Sequence, residues 1–171
     1  MPLPDTGVHF ARCLKLLSTL HMASDDTLPD DRRKMMESIN RFLQDSVPHN
    51  HELGLSVVDL GVAEATMRLP YAEKLVGNPE TGVLHGGAVT TLIDAACGIS
   101  VFMKMARMAR IATLDLRIDY LHPAMPGKDL LARAECYKLT RAVAFVRALA
   151  HHGDPANPVA SAQGTFIIVE D

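Results

Sequence analysis

The chain has few cysteines, Cys13, Cys97 and Cys136. Their number is odd, their spacing is wide and no CxxC pair exists. That pattern supports neither a disulfide framework nor a cysteine zinc site, and it points to reduced thiols in a cytoplasmic protein. Charge of one sign is also lacking. The formal net charge is −3 and no stretch is strongly basic, which argues against a nucleic-acid partner. The N-terminus, MPLPDTGVHFARCLKLLSTLHM, carries prolines and early charge. It has no basic start followed by a long apolar core, the mark of a secretory signal. No internal repeat or low-complexity segment occurs. What is present is an ordinary globular composition over 171 residues, 48% hydrophobic and 22% charged, a length that suits one domain with a sizeable core.

The longest nearly uncharged run, Gly86 to Met103, brushes the length of a transmembrane helix. Asp94 at its centre, with Thr90, Thr91 and Gly98, argues instead for a buried helix and no membrane span, because an unpaired charge at mid-bilayer is costly. The run continues to about residue 107. It is too long for one strand, and its alanines favour a helix. Before it, residues 1 to about 30 read as an N-terminal helical extension, with Phe10, Leu14, Leu17 and Leu20 at helical spacing. A second helix starts near Asp30 or Asp31 with acidic residues in its first turn. Met35, Met36, Ile39, Phe42 and Leu43 form its apolar face, and VPHNHELG ends it, since Pro48 cannot extend it.

Strand character follows in LGLSVVDL and VAEATMRLP, a hairpin turning near Gly61. YAEKLVGNPETG reads as a loop. After the long helix the period changes to two. In RIATLDLRIDYLHP, Ala112, Leu114, Leu116, Ile118 and Tyr120 share one face, and Thr113, Asp115, Arg117 and Asp119 share the other. LLARAECYKL, AVAFVRALAHH and VASAQGTFIIV are three further strands, the last two joined by GDPANP. An antiparallel sheet must cover its apolar face. The expected architecture is therefore α+β, a curved antiparallel sheet wrapped around one long central helix.

The segment NPETGVLHGGAVTTLIDAACG carries the chemistry. A helix start presents free backbone N–H groups and a partial positive charge, which suit a negative oxygen atom. Gly86 and Gly87 sit at that start and let a ligand approach the backbone. A thioester or ester carbonyl placed there would find donors for its developing oxyanion, and His85 could orient the turn or add a contact. Asp94 lies eight residues beyond Gly86, roughly 12 Å along the axis at about 1.5 Å per residue. One chain's helix start and its own acid are then unlikely to share a reacting carbon, so a symmetric dimer with two equal sites is expected if both act. A poorly solvated carboxylate is a stronger base or nucleophile, with its pKa tending upward. Asp94 could attack the carbonyl to give an anhydride, or draw a proton from an attacking water. A purely structural Asp94, capping a loop or paired with Arg107 or Arg117, is the competing reading.

GNPETGVLHGGAVTTLIDAACG followed by TLDLRIDYLHPAMPG resembles the hotdog-fold acyl-CoA thioesterases of the PaaI type, within the 4-hydroxybenzoyl-CoA thioesterase superfamily. The resemblance covers roughly residues 47 to 169, including the closing AQGTFIIV. It implies a hotdog thioesterase domain over 31–171, after the extension of residues 1–30. It implies hydrolysis of acyl-CoA thioesters with His85, Gly86 and Gly87 at the oxyanion contact and Asp94 as the catalytic acid. It also implies a role in holding substrate or water for Asn78, seven residues before His85 where many relatives have six. Thr113 matches a hydroxyl residue near the acid of the same subunit, and the HGG and the acid come from different subunits of a homodimer or dimer of dimers. Lys138 and Arg141, in KLTRA, fall where relatives approach the CoA nucleotide, and could meet its phosphates or be solvated charges.

No cofactor is implied. His49 and His51, and the pair His151 and His152, would each need a further ligand to hold a metal, so no metal is expected. The methionines are expected to pad the core and an acyl tunnel. Against acyl-CoA hydrolysis stand a non-catalytic acyl-CoA or lipid-binding hotdog protein and a hotdog hydratase or dehydratase, with a carrier-protein thioesterase as a close variant. The intact HGG and Asp94 argue against the first, and their spacing does not suit the second.

Overall fold

The structure, a computed structural model, describes residues 29–105 and 109–169. The helix expected over residues 10–21, and Arg107, lie outside the described residues. Helix α1 (Pro29–Ser46) is followed by a short helix α2 (Pro48–Leu53). The segment VPHNHELG is thus not simply a helix end. Pro48 opens a new helix, because a proline at the first helical position removes only an N–H that would lack an intrahelical partner. Gly54 closes α2 in the left-handed region at φ 70°. Strands β1 (Ser56–Gly61) and β2 (Glu64–Leu69) form the expected hairpin. The segment read as a loop holds a small second hairpin, β3 (Val76–Asn78) and β4 (Val83–Leu84). Short strands of two or three residues leave too little alternation to detect.

The long helix α3 spans Gly86–Met105, and β5 (Arg110–Tyr120), β6 (Leu130–Leu139), β7 (Val143–His151) and β8 (Ala160–Val169) follow. The main sheet is antiparallel with strand order β1-β2-β6-β7-β8-β5. Helix α3 lies chiefly across β2, β6 and β7. Alanines occupy many inward positions of the sheet: Ala132 and Ala134 on β6, Ala144, Ala148 and Ala150 on β7, Ala160 and Ala162 on β8, all buried. Small side chains there let the helix approach closely, and Leu92, Ile93, Ala96 and Cys97 of α3 become fully buried, as close packing requires. The helix has the length and the mean hydropathy (1.5) to cross a membrane, but its apolar face is already covered by the sheet.

Met35, Ile39 and Leu43 of α1 enter the core, at the spacing of one helical face. The same helix covers the β1 edge. Asn40 Nδ2 donates to the Val57 carbonyl at 3.0 Å and Asn40 Oδ1 accepts from the Val57 N–H at 2.6 Å. A side-chain amide thereby replaces the missing neighbouring strand.

Strand β5 departs from strict alternation. The register against β8 shifts between Thr113 and Asp115, so Leu114 is an extra residue in a β-bulge. Thr113 pairs with Phe166, and Leu116 with Gly164. Phe166 and Gly164 both face the core, so Ile111, Thr113, Leu116 and Ile118 share the inner face. Leu114 is 56% exposed. The expectation that Ala112 and Leu114 lie on one face with Leu116 is therefore corrected. A bulge reverses the phase of every residue on one side of it.

Candidate active site

Asp94 projects from the middle of α3 and is half-buried. Thr113, turned inward by the bulge in β5, donates from Oγ1 to Asp94 Oδ1 at 2.8 Å. Arg117 pairs instead with Asp119 at 3.0 Å. The acid opens into a cavity of about 220 Å³ between α1, α2, α3 and the ends of β5 and β8. Its walls are apolar, with Phe42, Leu43, Phe102, Ile111 and Phe166, except for Asp94, Thr113 and Asn50. Cys97 is one turn further along the helix. Burial, and then the nearby Asp94 charge, push its thiol up to about 12, so it stays protonated and is a poor nucleophile.

The helix start forms a separate region. Gly87 N–H donates to His85 Nδ1 at 2.9 Å. With Nδ1 accepting, a neutral His85 carries its proton on Nε2. The backbone of His85 is tied down as well, its N–H donating to the Leu75 carbonyl at 2.8 Å. The Gly86 N–H is then the helix-start donor that no hydrogen bond occupies among the described residues. The Gly86 carbonyl accepts from Tyr120 Oη at 2.9 Å and Thr90 Oγ1 at 3.0 Å. Both glycines sit tightly against neighbouring side chains. A Cβ on Gly86 would come within 3.3 Å of Tyr120 Oη, and one on Gly87 within 2.9 Å of His85 Nδ1. Gly86 faces a cavity of about 430 Å³ with Val89, Tyr120, His122 and Val159. That cavity shares no lining residue with the cavity of Asp94.

The structure thus brings Asp94 and Thr113 together, and His85, Gly86 and Gly87 together, but not the two groups within one chain. Asn78 lies in the turn of the β3–β4 hairpin. Its Oδ1 accepts from the Glu80 N–H at 3.0 Å and its carbonyl from the Gly82 N–H at 2.9 Å, a turn-forming arrangement. Lys138 lies one residue before the end of β6 and Arg141 sits in the β6–β7 turn, both exposed, and neither lines either cavity.

Among the other described histidines, His49, His151 and His152 have hydrogen-bond partners. His152 Nε2 accepts from the Met125 N–H at 2.9 Å and its Nδ1 lies 2.8 Å from the Asp129 carbonyl. His151 is buried and accepts at Nδ1 from the Gly153 N–H at 3.0 Å. His49 Nε2 lies 3.3 Å from Thr91 Oγ1. Among the described residues no cluster of three His, Cys, Asp or Glu could hold a metal.

Tyr120 and Asn50 line these cavities and were not singled out from the sequence as site residues. Tyr120 reads as one more apolar strand position, and Asn50 as part of a helix end. Neither carries a local signal for its placement. A larger depression than these two cavities, about 570 Å³, lies on the outer face of the sheet. Its charges are already paired, Arg133 with Glu64 at 2.8 Å and Arg147 with Glu135 at 2.7 Å. It holds none of the motif residues, so size is a poor guide to the chemistry here.

Residues 81–159 match the thioesterase superfamily. The chain is 30% identical over 135 residues to the medium/long-chain acyl-CoA thioesterase YigI of Salmonella typhimurium, covering 71% of this chain and 86% of that protein. A crystal structure of a Pseudomonas aeruginosa protein is 46% identical, with a TM-score of 0.69, covering 77% of this chain and 97% of that one. A mutant of the phenylacetic acid degradation protein PaaI from Thermus thermophilus is 26% identical, with a TM-score of 0.62, covering 71% of this chain and 99% of that one.

Proposed function

The chain belongs to the thioesterase superfamily, among its PaaI-like hotdog-fold members, and from that premise we propose that it hydrolyses acyl-CoA thioesters through Asp94. The observation that carries the residue assignment is the Asp94–Thr113 pair at the mouth of an apolar cavity. Thr113 engages one carboxylate oxygen and leaves the other for chemistry. Asp94 acts on the thioester carbonyl either directly, as nucleophile, or by taking a proton from water. The carbon–sulfur bond then breaks, and the CoA thiolate leaves and is protonated; in the nucleophile route water then cleaves the Asp94 anhydride to release the acid.

The developing oxyanion needs a donor that this chain's Asp94 region does not supply. The Gly86 N–H at the positive end of α3 fits that role, with the Nε2–H of His85 as a second donor. Gly86 lines the other cavity and His85 directly precedes it, so each active site takes its acid from one protomer and its oxyanion donor from a second. The two edges of the sheet support a dimer. Asn40 covers β1, whereas β5 is an edge eleven residues long. Beside it Leu114, Tyr120 and Leu121 are 56%, 52% and 49% exposed. Such an edge is a template for pairing with a second copy. Asn78 and Gly87 support the oxyanion turn, and Lys138 and Arg141 are the cations we assign to the CoA phosphates.

The test is thiol release from a panel of acyl-CoAs, short aliphatic, aryl and long chain, repeated with Asp94→Asn. Wild-type protein is expected to cleave part of the panel, and Asp94→Asn to lose about 10²- to 10⁴-fold in kcat. Unchanged release by the variant would remove Asp94 from the chemistry. Tight acyl-CoA binding without turnover by the wild type would replace the enzyme with a binding protein.

A further inference from the structure

Asn50 is the third polar residue of the Asp94 cavity. Its backbone carbonyl accepts from the Leu55 N–H at 3.0 Å, but among the described residues its side-chain amide has no partner. No buried side-chain polar atom lacks a partner among the described residues, so the half-buried Asn50 amide is open to water beside a carboxylate and a hydroxyl, in otherwise apolar walls. Its placement is braced. The neighbouring His49 meets Thr91 at 3.3 Å, and Thr91 itself donates to the Gly87 carbonyl at 3.0 Å. Thr91 lies one helical turn before Asp94, so this contact seats α2 against the helix face that carries the acid. Pro48 and the left-handed Gly54 bound α2 on either side and limit its freedom to turn away.

We propose that Asn50 is a further catalytic residue, holding the water that Asp94 deprotonates. This inference rests on the thioesterase reading of Asp94 and decides between its two routes in favour of water. One water hydrogen is accepted by the Asp94 oxygen that Thr113 leaves open, and the other by Asn50 Oδ1. The oxygen lone pair is then directed at the thioester carbon. As the new carbon–oxygen bond forms, the first proton passes to Asp94. The tetrahedral species collapses with cleavage of the carbon–sulfur bond, its electron pair leaving on sulfur, and the proton on Asp94 passes to the CoA thiolate. A 220 Å³ cavity has room for such a water at about 30 Å³ each. With all three polar residues on one protomer, the water-holding half of the site is complete within a single chain.

The experiment measures kcat and KM separately for Asn50→Ala, Asn50→Gln and Asp94→Asn on an acyl-CoA that the wild type cleaves, with the melting midpoint as a check on folding. It adds one single-turnover reaction of the wild type in ¹⁸O-water. The expected result is a loss of about 10- to 100-fold in kcat for Asn50→Ala, the worth of one hydrogen bond in the transition state. KM and the melting midpoint should stay close to wild type, Asn50→Gln should recover part of the loss, and the label should appear in the product acid on the first turnover. If Asn50→Ala keeps kcat within about threefold while Asp94→Asn abolishes it, Asn50 has no part and the Asp94 reading survives. A rise in KM alone would make Asn50 a substrate contact and overturn the proposal. Label found in the Asp94 carboxylate would overturn the water route. If the wild type cleaves no acyl-CoA, the underlying reading fails before this one.

Discussion

His151 shows how a residue removed from the chemistry can still govern behaviour in solution. Burial pushes its imidazole below the ordinary value, while the charge of Asp154 acts in the opposite direction. In the unfolded chain a histidine titrates near about 6.5. As pH falls through that value the unfolded chain takes the proton first, and the folded protein resists it. His151 therefore contributes stability that is present above about pH 6.5 and is lost as pH falls towards the folded value. The urea midpoint is expected to decline as pH is lowered from neutral to mildly acid, and His151→Gln to flatten that decline. Equal pH slopes in the two proteins would show that the loss arises elsewhere. Asp94 illustrates the reverse case, a residue legible from the sequence because a lone charge in an apolar helix needs a reason.

The bulge in β5 is the element on which the acid's environment depends. Strict alternation puts Thr113 on the face opposite Leu116, away from the helix. The extra residue, Leu114, reverses that phase and turns Thr113 to Asp94. Gly164 on β8 makes the bulge possible. A Cβ there would lie 2.6 Å from the Asp115 carbonyl oxygen and 3.0 Å from Leu116 Cδ1. Because the first of these is backbone, the contact cannot be relieved by a rotamer change. Gly164→Ala is expected to destabilise the fold by about 1–3 kcal/mol, the usual range for overpacking. It should also lower activity by displacing Thr113. Urea unfolding and thiol release measure the two effects, and a variant with wild-type stability would show that the strand absorbs the methyl group. Alternation shows which residues form a strand, and the long regular strands were readable on that basis. It does not show where the strand inserts a residue, because that is set by the partner strand.

At the scale of the whole molecule, one helix carries two half-sites that face different cavities. In the proposed mechanism the two half-sites serve one substrate through the pairing of two chains. Leu114 stands at the bulge of the open edge and is 56% exposed. Leu114→Lys places a charge where a second sheet would pack, a device that blocks edge pairing. The variant is expected to sediment as a monomer at concentrations where the wild type is a dimer, and to lose activity with the dimer. A variant that is monomeric and fully active would overturn the two-chain site.

The sequence by itself determined the long helix with its glycine start and central acid, the four long strands that follow and the first hairpin. Each rests on a periodicity or a cap contained within a short window. The family followed from the HGG and Asp94 spacing, which is also local. Tertiary structure alone decided that Thr113 faces the acid, that Asn50 lines its cavity, that Tyr120 meets Gly86, and that the two ends of the motif open into separate cavities. These depend on contacts between residues far apart in the chain, such as Gly164 with Asp115 or His49 with Thr91. No local pattern records such contacts, because they arise only when strands and helices pack against one another.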